Sequence, residues 1–372
     1  MGGSDLPDRD DLSRVLEFAV SSPPPARLGV LSAALVLLLT TSAAAQQVGT
    51  VRGRVLDEDR ATPIRGALVQ LVAESGVVAR ALSGPDGTFV IRFVPGDRFQ
   101  LRGEMIGRED AVTEIFSLRA DSAVYHDLVL RHGVLELASL DVRGEQRCRV
   151  AAEVGRATEL VWAEARKALR AESATRELAK YEFDIVAFER RFRSGRDQPT
   201  VERRDTVTMT RHDPFSSLAP DQLARDGYAR AEDGVTYIYA PNTDALLSDA
   251  FVETHCFRLE RSDDEPGRLG LAFEPLEDRQ ETDIEGVLWL DERTSELRRL
   301  EFRYRNVPRE LVRGDYTGAA EFQRLPTGGW IIRHWALRTP MRAGTRSLIR
   351  ELGGEVVEVR PGGSAQAVSP SR

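Results

Sequence analysis

Short runs of residues with high strand propensity, separated by turn residues, are the feature that most restricts this fold. Between residues 48 and 142 the turns recur roughly every 8–12 positions, a spacing typical of sandwiches and barrels. Thr50–Leu56 alternates apolar or small residues with Arg, and Gly84–Gly87 is a turn that precedes the run Thr88–Phe93. Alternation with period two indicates a strand that is buried on one face. The sequence therefore predicts an all-β unit at this end of the chain, with its last strand at 123–130 and an extended strand at 134–142 that leaves the unit.

Three motifs in this region resemble a known family. They are Gly53-Arg54-Val55, then Pro63–Ala67 before a V-x-L strand, then Asp86–Phe89 at a turn. Together they resemble the carboxypeptidase regulatory-like domain, a transthyretin-like Greek-key β-sandwich, which we place at residues 46–143. The resemblance implies that Asp86-Gly87 closes a hairpin and that Phe89 fills the core. The family is named for an accessory domain, so no peptidase activity follows, and its kinship with carbohydrate-binding-like sandwiches is an analogy of fold.

The N-terminal region has the pattern of an export signal. Arg27 precedes the uncharged, mostly apolar run Leu28–Leu39, and Ala43–Ala45 forms a small-residue cleavage site before Gln46. Since a membrane-spanning helix needs about 20 residues, this run favours a cleaved signal over an anchor. We predict an N-terminal extension plus signal peptide over residues 1–45 and no stable transmembrane anchor after cleavage. The chain is then exported, and it is periplasmic, outer-membrane-associated or secreted.

The second half of the chain is predicted to be one helix followed by strands. Apolar residues at helical spacing between Thr158 and Leu178 predict an amphipathic helix within a linker segment at 144–180. Alternating runs then predict an antiparallel β-rich domain at 181–360 and a disordered tail at 361–372, with Thr243 capping a helix at 244–254. The G-x-L-W-L-D run Gly286–Asp291 resembles the sheets of bacterial envelope proteins shaped like an open half-barrel, so the predicted fold class is mainly β.

The chain contains two cysteines, Cys148 and Cys256. An oxidising compartment favours a disulfide between them, and two free thiols are the alternative. A structural zinc site needs more Cys or His ligands than this pair offers.

The sequence contains neither an HExxH nor a GxSxG motif, and no His is followed three residues later by Glu. We therefore predict no catalytic residues, no metal and no cofactor. A formal charge of −8 argues against nucleic acid as a partner. In strands that alternate Arg with apolar residues, as around Arg299 and Arg303, the Arg side chains are predicted to face outward and to pair with carboxylates across neighbouring strands. A sugar or lipid groove has five candidate aromatics, for which core packing is the alternative: Tyr237, Tyr239, Trp289, Trp330 and Trp335.

Three functional hypotheses remain open. The first is a non-enzymatic envelope protein that binds or scaffolds, with a glycan, a lipid or an envelope protein as partner. The second is a carrier of lipid or another apolar ligand on the C-terminal sheet, which requires a large apolar cavity. The third is a hydrolase with an unrecognised carboxylate site, which requires two facing carboxylates about 5–9 Å apart in a cleft.

Overall fold

The computed structural model describes residues 48–133 and 155–362, except 194, 197, 233–234, 310 and 344–345. The predicted signal peptide, the strand expected at 134–142, Cys148 and most of the predicted tail lie outside these residues. No helix within the described ranges combines the length and apolarity needed to cross a bilayer.

Two small sheets pack face to face to form the predicted sandwich. In one sheet β1 pairs antiparallel with β4 and parallel with β8 and β9; the other has the order β3-β2-β5-β6, with β7 also pairing β5. Val55, Leu71 and Leu101 are fully buried between them. The strands are β1 Gly49–Asp57, β2 Leu68–Ala73, β3 Gly76–Leu82, β4 Thr88–Phe93, β5 Gly96–Glu104, β6 Ala111–Val112, β7 Phe116–Leu118, β8 Ala123–Tyr125 and β9 Leu128–Leu130.

Two details of the sandwich differ from expectation. The turn at Asp86-Gly87 does not close a hairpin, because β3 pairs with β2 in one sheet whereas β4 pairs with β1 in the other. The turn therefore carries the chain between sheets, and Gly87 adopts the left-handed φ of 75° that such a reversal requires. The single strand expected at 123–130 is divided into β8 and β9. Phe89 is buried in the core, as predicted.

A nine-stranded open antiparallel sheet forms most of the remainder. Its order is β11-β10-β20-β19-β18-β17-β16-β15-β14. The pair β12 (Ala229–Glu232) and β13 (Val235–Ile238) forms a separate small sheet. The strands are β10 Tyr181–Arg193, β11 Val201–Met209, β14 His255–Arg261, β15 Arg268–Pro275, β16 Asp283–Asp291, β17 Leu297–Arg305, β18 Thr317–Arg324, β19 Trp330–Ala343 and β20 Arg346–Pro361.

One face of this sheet, here called the inner face, is covered by the long helix α1 (Arg156–Glu177). Val161, Ala168 and Leu169 of the helix are fully buried in the same cluster as Leu288 and Phe302 of the sheet. The helix thus buries the apolar stripe that predicted it. The opposite face of the sheet is called the outer face.

Three short helices complete the part of the chain that the structure describes: α2 (Pro220–Asp226), α3 (Thr243–Leu247) and α4 (Asp249–Thr254). The expected single helix at 244–254 is therefore two helices. Thr243 is not the N-cap, because the Asn242 side chain accepts the hydrogen bond from the Ala245 N–H. The Thr243 hydroxyl instead donates to Glu172 on α1 (2.6 Å).

Helix α1 also contacts the sandwich, and both belong to one compact unit. Arg170 forms an ion pair with the buried Glu104 of β5 (3.0 Å). The Gly107 N–H donates to Glu164 (2.6 Å), and the Lys167 ammonium donates to the carbonyl oxygen of Arg108 (2.5 Å). The segment predicted as a linker helix therefore packs between the sandwich and the large sheet. The domain boundaries themselves remain predictions.

Candidate functional site

A trench runs across the outer face of the large sheet, perpendicular to its strands. Its floor is a row of residues that are directly opposite one another on β16 to β20. All but Glu301 have small or medium side chains. The five floor residues are Val287, Glu301, Ala319, Ala336 and Gly353. Most of this row lines a cavity of about 560 Å³. Four strand spacings of about 4.8 Å give the floor a length of roughly 19 Å.

Two parallel rows of larger side chains bound the trench. The rows lie two residues to either side of the floor on each strand, and so their side chains emerge from the same face. The first wall consists of Trp289, Arg299, Glu321, His334 and Glu355. The second wall consists of Glu285, Arg303, Thr317, Arg338 and Glu351. The trench forms because most residues aligned in the middle row are small, whereas most residues aligned in the two flanking rows are long.

Ion pairs hold both ends of the second wall. Glu351 is buried and accepts from Arg338 (2.5 Å) and Arg190 (3.2 Å). Arg190 also lies over the Phe188 ring, 4.0 Å from its centroid. At the other end of the wall, Arg303 pairs with Glu285. These contacts bear out the cross-strand pairing predicted for the Arg-alternating strands.

The first wall is connected to the floor through Glu301. This carboxylate forms an ion pair with Arg299 (2.7 Å) and accepts a hydrogen bond from the indole N–H of Trp289 (3.1 Å). Arg299 also lies 3.8 Å from Glu321. Its Nε–H is buried and finds no hydrogen-bond partner within the described part of the chain. Glu301 remains 46% exposed, so its oxygens face the trench as well as the wall.

The five candidate aromatics do not come together. Trp289 reaches the trench, where its ring covers Gly270 so closely that a Cβ there would lie 2.7 Å from it. Trp330 and Trp335 are buried in the core on the inner side, so core packing is the correct interpretation for both. Tyr239 packs against that core, and Tyr237 lies on the small sheet, 38% exposed.

The sequence patterns did not predict the row of residues that shapes the trench. Arg299 and Arg303 were expected to face outward, but Glu301, Ala319 and Ala336 gave no signal as individual residues. Their significance depends on alignment across five strands. The available signal was the recurrence of small residues at outward-facing positions in consecutive alternating runs.

Two buried ionisable groups lie on the inner side of the sheet. Burial raises the pKa of Glu172 to about 7, against the opposing effects of Arg176 and of the Thr243 hydroxyl. Burial lowers the pKa of His212 to about 4, and its ring lies tilted against that of Trp335, with the centroids 4.5 Å apart. Glu172 is therefore uncharged below about pH 7, whereas His212 is uncharged above about pH 4.

A buried network at the start of β14 has the composition of a catalytic triad. His255 contacts Asp283 (3.2 Å) and the Thr254 hydroxyl (3.1 Å), and Asp283 also accepts from Arg279 (2.5 Å). His255 and Asp283 are almost completely inaccessible, and the adjoining space is about 10 Å³. A substrate needs a cleft of hundreds of Å³. The network therefore connects α4 to β16 and has no room for a substrate.

One cluster in the sandwich has atoms close enough to hold a cation. The ligand atoms of Asp57, Glu58 and His132 lie within 4.8 Å of one another. Arg108, however, forms a bidentate contact with Asp57 (2.8 and 3.0 Å) and holds the pKa of that carboxyl at about 2. Because the guanidinium already occupies both oxygens, we assign no metal there.

Cys256 is buried on β14, on the outer side of the sheet, with its Sγ 3.8 Å from the carbonyl oxygen of Glu274. Cys148 lies outside the described residues. The disulfide therefore stays a prediction.

Comparison with known families supports the N-terminal assignment. Residues 50–131 match the family model of the carboxypeptidase regulatory-like domain. This match confirms the resemblance inferred from the motifs at Gly53, Pro63 and Asp86. The family covers less than a quarter of the chain, so it describes the sandwich and not the large sheet. No curated protein matches the chain.

Solved structures show only distant similarity. The minor pilin GBS52 of the Gram-positive pathogen Streptococcus agalactiae is 12% identical over 27% of this chain and 49% of the pilin, with a TM-score of 0.20. Hydroxyquinol 1,2-dioxygenase from Pseudomonas putida DLL-E4 is 11% identical over 33% and 71%, with a TM-score of 0.21. A streptococcal ancillary pilin is 10% identical over 47% and 57%, with a TM-score of 0.19. The chain spans about half the length of GBS52, and these scores are too low to support a functional comparison.

Proposed function

We propose that this protein is a non-enzymatic binding module of the bacterial cell envelope, exported by its N-terminal signal, and that the trench is its binding surface. The proposal rests on one observation: side chains pack against one side of the large sheet and leave an open cavity on the other. The inner side is filled by α1 and core side chains, whereas the outer side has an open cavity of about 560 Å³. The sandwich, attached through α1, then serves as a spacer or docking module.

The carrier hypothesis has less support. The space between α1 and the sheet is occupied by fully buried residues such as Val161, Leu169 and Leu288. The open cavity is on the other face and has charged side chains along both walls. Because an apolar ligand there would desolvate those charges, the cavity is a poor site for a lipid.

The hydrolase hypothesis also has less support. The described residues include six buried carboxylates, and each has a polar partner already: Glu104, Glu164, Glu172, Glu189, Asp283 and Glu351. Glu301 and Glu321 share Arg299 in the trench but are half-exposed. Hydrolytic carboxylates require an environment that separates their pKa values, which two half-exposed groups on one guanidinium do not provide.

The proposal is tested by expressing the full chain with its N-terminal region, purifying it from the periplasmic fraction and analysing it by native mass spectrometry. We expect a mature N-terminus at Gln46 and a co-purified ligand or envelope partner. Ala336→Trp, which fills the trench floor, should abolish that association, whereas Thr206→Trp should not. Thr206 is exposed on the outer face of β11, away from the trench. A chain that stays in the cytoplasm, or an association unaffected by Ala336→Trp, would refute the proposal.

A further inference from the structure

The charges that line the trench nearly cancel. The cavity lining includes four Arg and five Glu residues. Each of these Arg side chains lies within ion-pair distance of a Glu: Arg258 to Glu260 and Glu274, Arg299 to Glu301, Arg303 to Glu285, and Arg338 to Glu351. A charged ligand would have to break such pairs and leave one partner uncompensated, which is costly in a partly desolvated site. A ligand without net charge leaves every pair intact.

The paired groups still have hydrogen-bonding capacity. A guanidinium has five N–H donors and a carboxylate has about four lone-pair sites, so one ion pair does not saturate either group. Glu301 takes part in one ion pair and one hydrogen bond and is still 46% exposed. Arg299, beside it, is 41% exposed, so part of its guanidinium group also faces the trench. A hydroxyl group can both accept from a guanidinium and donate to a carboxylate, and so it matches this mixed lining.

The shape of the trench favours a chain-like ligand of polar character. The floor is roughly 19 Å long by strand spacing. Its open part runs from Val287 to Ala336, because the ring of Phe188 lies against Gly353 at the far end. On the floor itself, the apolar side chains are those of Val287, Ala319 and Ala336, between two charged walls. An acyl chain would gain little contact with these short side chains and would desolvate the ion pairs beside them. A linear polymer with many hydroxyls can lie along the floor and hydrogen-bond to both walls.

We propose that the trench binds a linear, uncharged glycan laid across β16 to β19, with Glu301 and Arg299 hydrogen-bonding to its hydroxyl groups. This inference rests on the proposed function and specifies the ligand class for its binding surface. Trp289, held by its hydrogen bond to Glu301, closes one end of the first wall. On the floor, the small side chains of Ala319 and Ala336 leave room for the sugar rings.

The test is isothermal titration calorimetry of the full exported chain with probes of defined chemistry. The uncharged probes are cellohexaose, maltohexaose and chitohexaose. The competing classes are hexagalacturonate, a neutral extended peptide, and phosphatidylcholine vesicles with and without phosphatidylglycerol. We expect one uncharged hexasaccharide to bind. Ala319→Trp should weaken that binding at least tenfold, and Glu301→Gln should weaken it several-fold. Thr206→Trp should leave it unchanged.

The outcomes separate this inference from the proposed function. If only an acidic glycan, the peptide or a vesicle binds, and Ala319→Trp blocks it, the trench is a binding surface but the uncharged-glycan inference is wrong. If no probe binds in a way that depends on Ala319, both the inference and the binding role of the trench are wrong. Glu301→Gln keeps the shape of the side chain, so it tests the site even if Ala319→Trp disturbs the fold; circular dichroism of both variants checks this.

Discussion

On β17, Leu300, Phe302 and Tyr304 point to the inner face, whereas Arg299, Glu301 and Arg303 point to the outer face. The inner residues pack under α1 in one apolar cluster. The outer residues are held by hydrogen bonds and ion pairs and remain partly exposed. The same strands thus place most of their buried apolar area on one face and their charged, partly exposed groups on the other. This division predicts that substitutions on the two faces have effects of different size and kind.

The largest expected effect is on the inner face. Phe302 is buried and contacts the rings of Phe215 and Tyr304. Phe302→Ala should lower the free energy of unfolding by about 3–5 kcal/mol, because it creates a cavity and loses buried apolar area. Arg303→Ala, one residue later on the outer face, should cost less than about 1 kcal/mol. Urea unfolding measures both. Equal costs would show that the two faces do not divide the energetics as described.

The predicted disulfide would add a covalent constraint at the edge of the outer face, through Cys256 on β14. Reduction should lower the free energy of unfolding by about 2–5 kcal/mol, the usual result of removing a long-range disulfide. Intact mass after alkylation without reductant should show no added groups on the exported chain. Uptake of two alkylating groups would show that both thiols are free.

The next effect concerns Glu172 on α1, and it depends on pH. Its pKa is about 7 in the fold because of burial, and about 4.5 when the chain is unfolded. The folded chain therefore binds this proton more tightly, and the contribution to stability is complete below pH 4.5 and lost as the pH rises through 7. Glu172→Gln should thus stabilise the protein at pH 8, by up to about 3 kcal/mol, and have little effect at pH 4.

The matched control for Glu172→Gln is Glu177→Gln, on the same helix but 42% exposed, which should have little effect at either pH. His212 has the opposite dependence, because its lowered pKa reduces stability as the pH falls from 6.5 to 4. Thermal unfolding of the Glu172→Gln variant should therefore show a clearer loss of stability in acid than the wild type. If the pH profiles of variant and wild type run parallel, Glu172 does not titrate as described.

Much of the division between faces was predictable from sequence. Period-two alternation in the runs around Phe183, Leu288 and Phe302 predicted strands with one buried face, and the stripe around Val161 and Leu169 predicted α1. The motifs at Gly53 and Asp86 identified the sandwich family. These predictions succeeded because each depends on residues that are close in sequence, where backbone geometry alone fixes which side chains share a face.

The trench was not predictable, because it depends on which residues of different strands are directly opposite one another. Ala319 and Ala336 are adjacent only because β18 and β19 pair in one particular register, which includes a bulge after Glu321. The single strand predicted at 123–130 and the single helix predicted at 244–254 were each wrong for a related reason. Strand pairing and the caps at Asn242 and Ser248 divided segments that were continuous in pattern.

The smallest expected effect tests whether the outer face contributes to stability at all. Glu351 is 4% exposed between Arg338 and Arg190, whereas Glu321, on the opposite wall, is 50% exposed beside Arg299. Glu351→Gln should cost about 1–2 kcal/mol, because it removes the charge on which two guanidinium groups converge, although both remain partly in water. Glu321→Gln should stay within about 0.5 kcal/mol. Urea unfolding at pH 7 measures both costs. If Glu351→Gln is as neutral as Glu321→Gln, the second wall contributes only to recognition; a cost near that of Phe302→Ala would mean that the outer face also stabilises the fold.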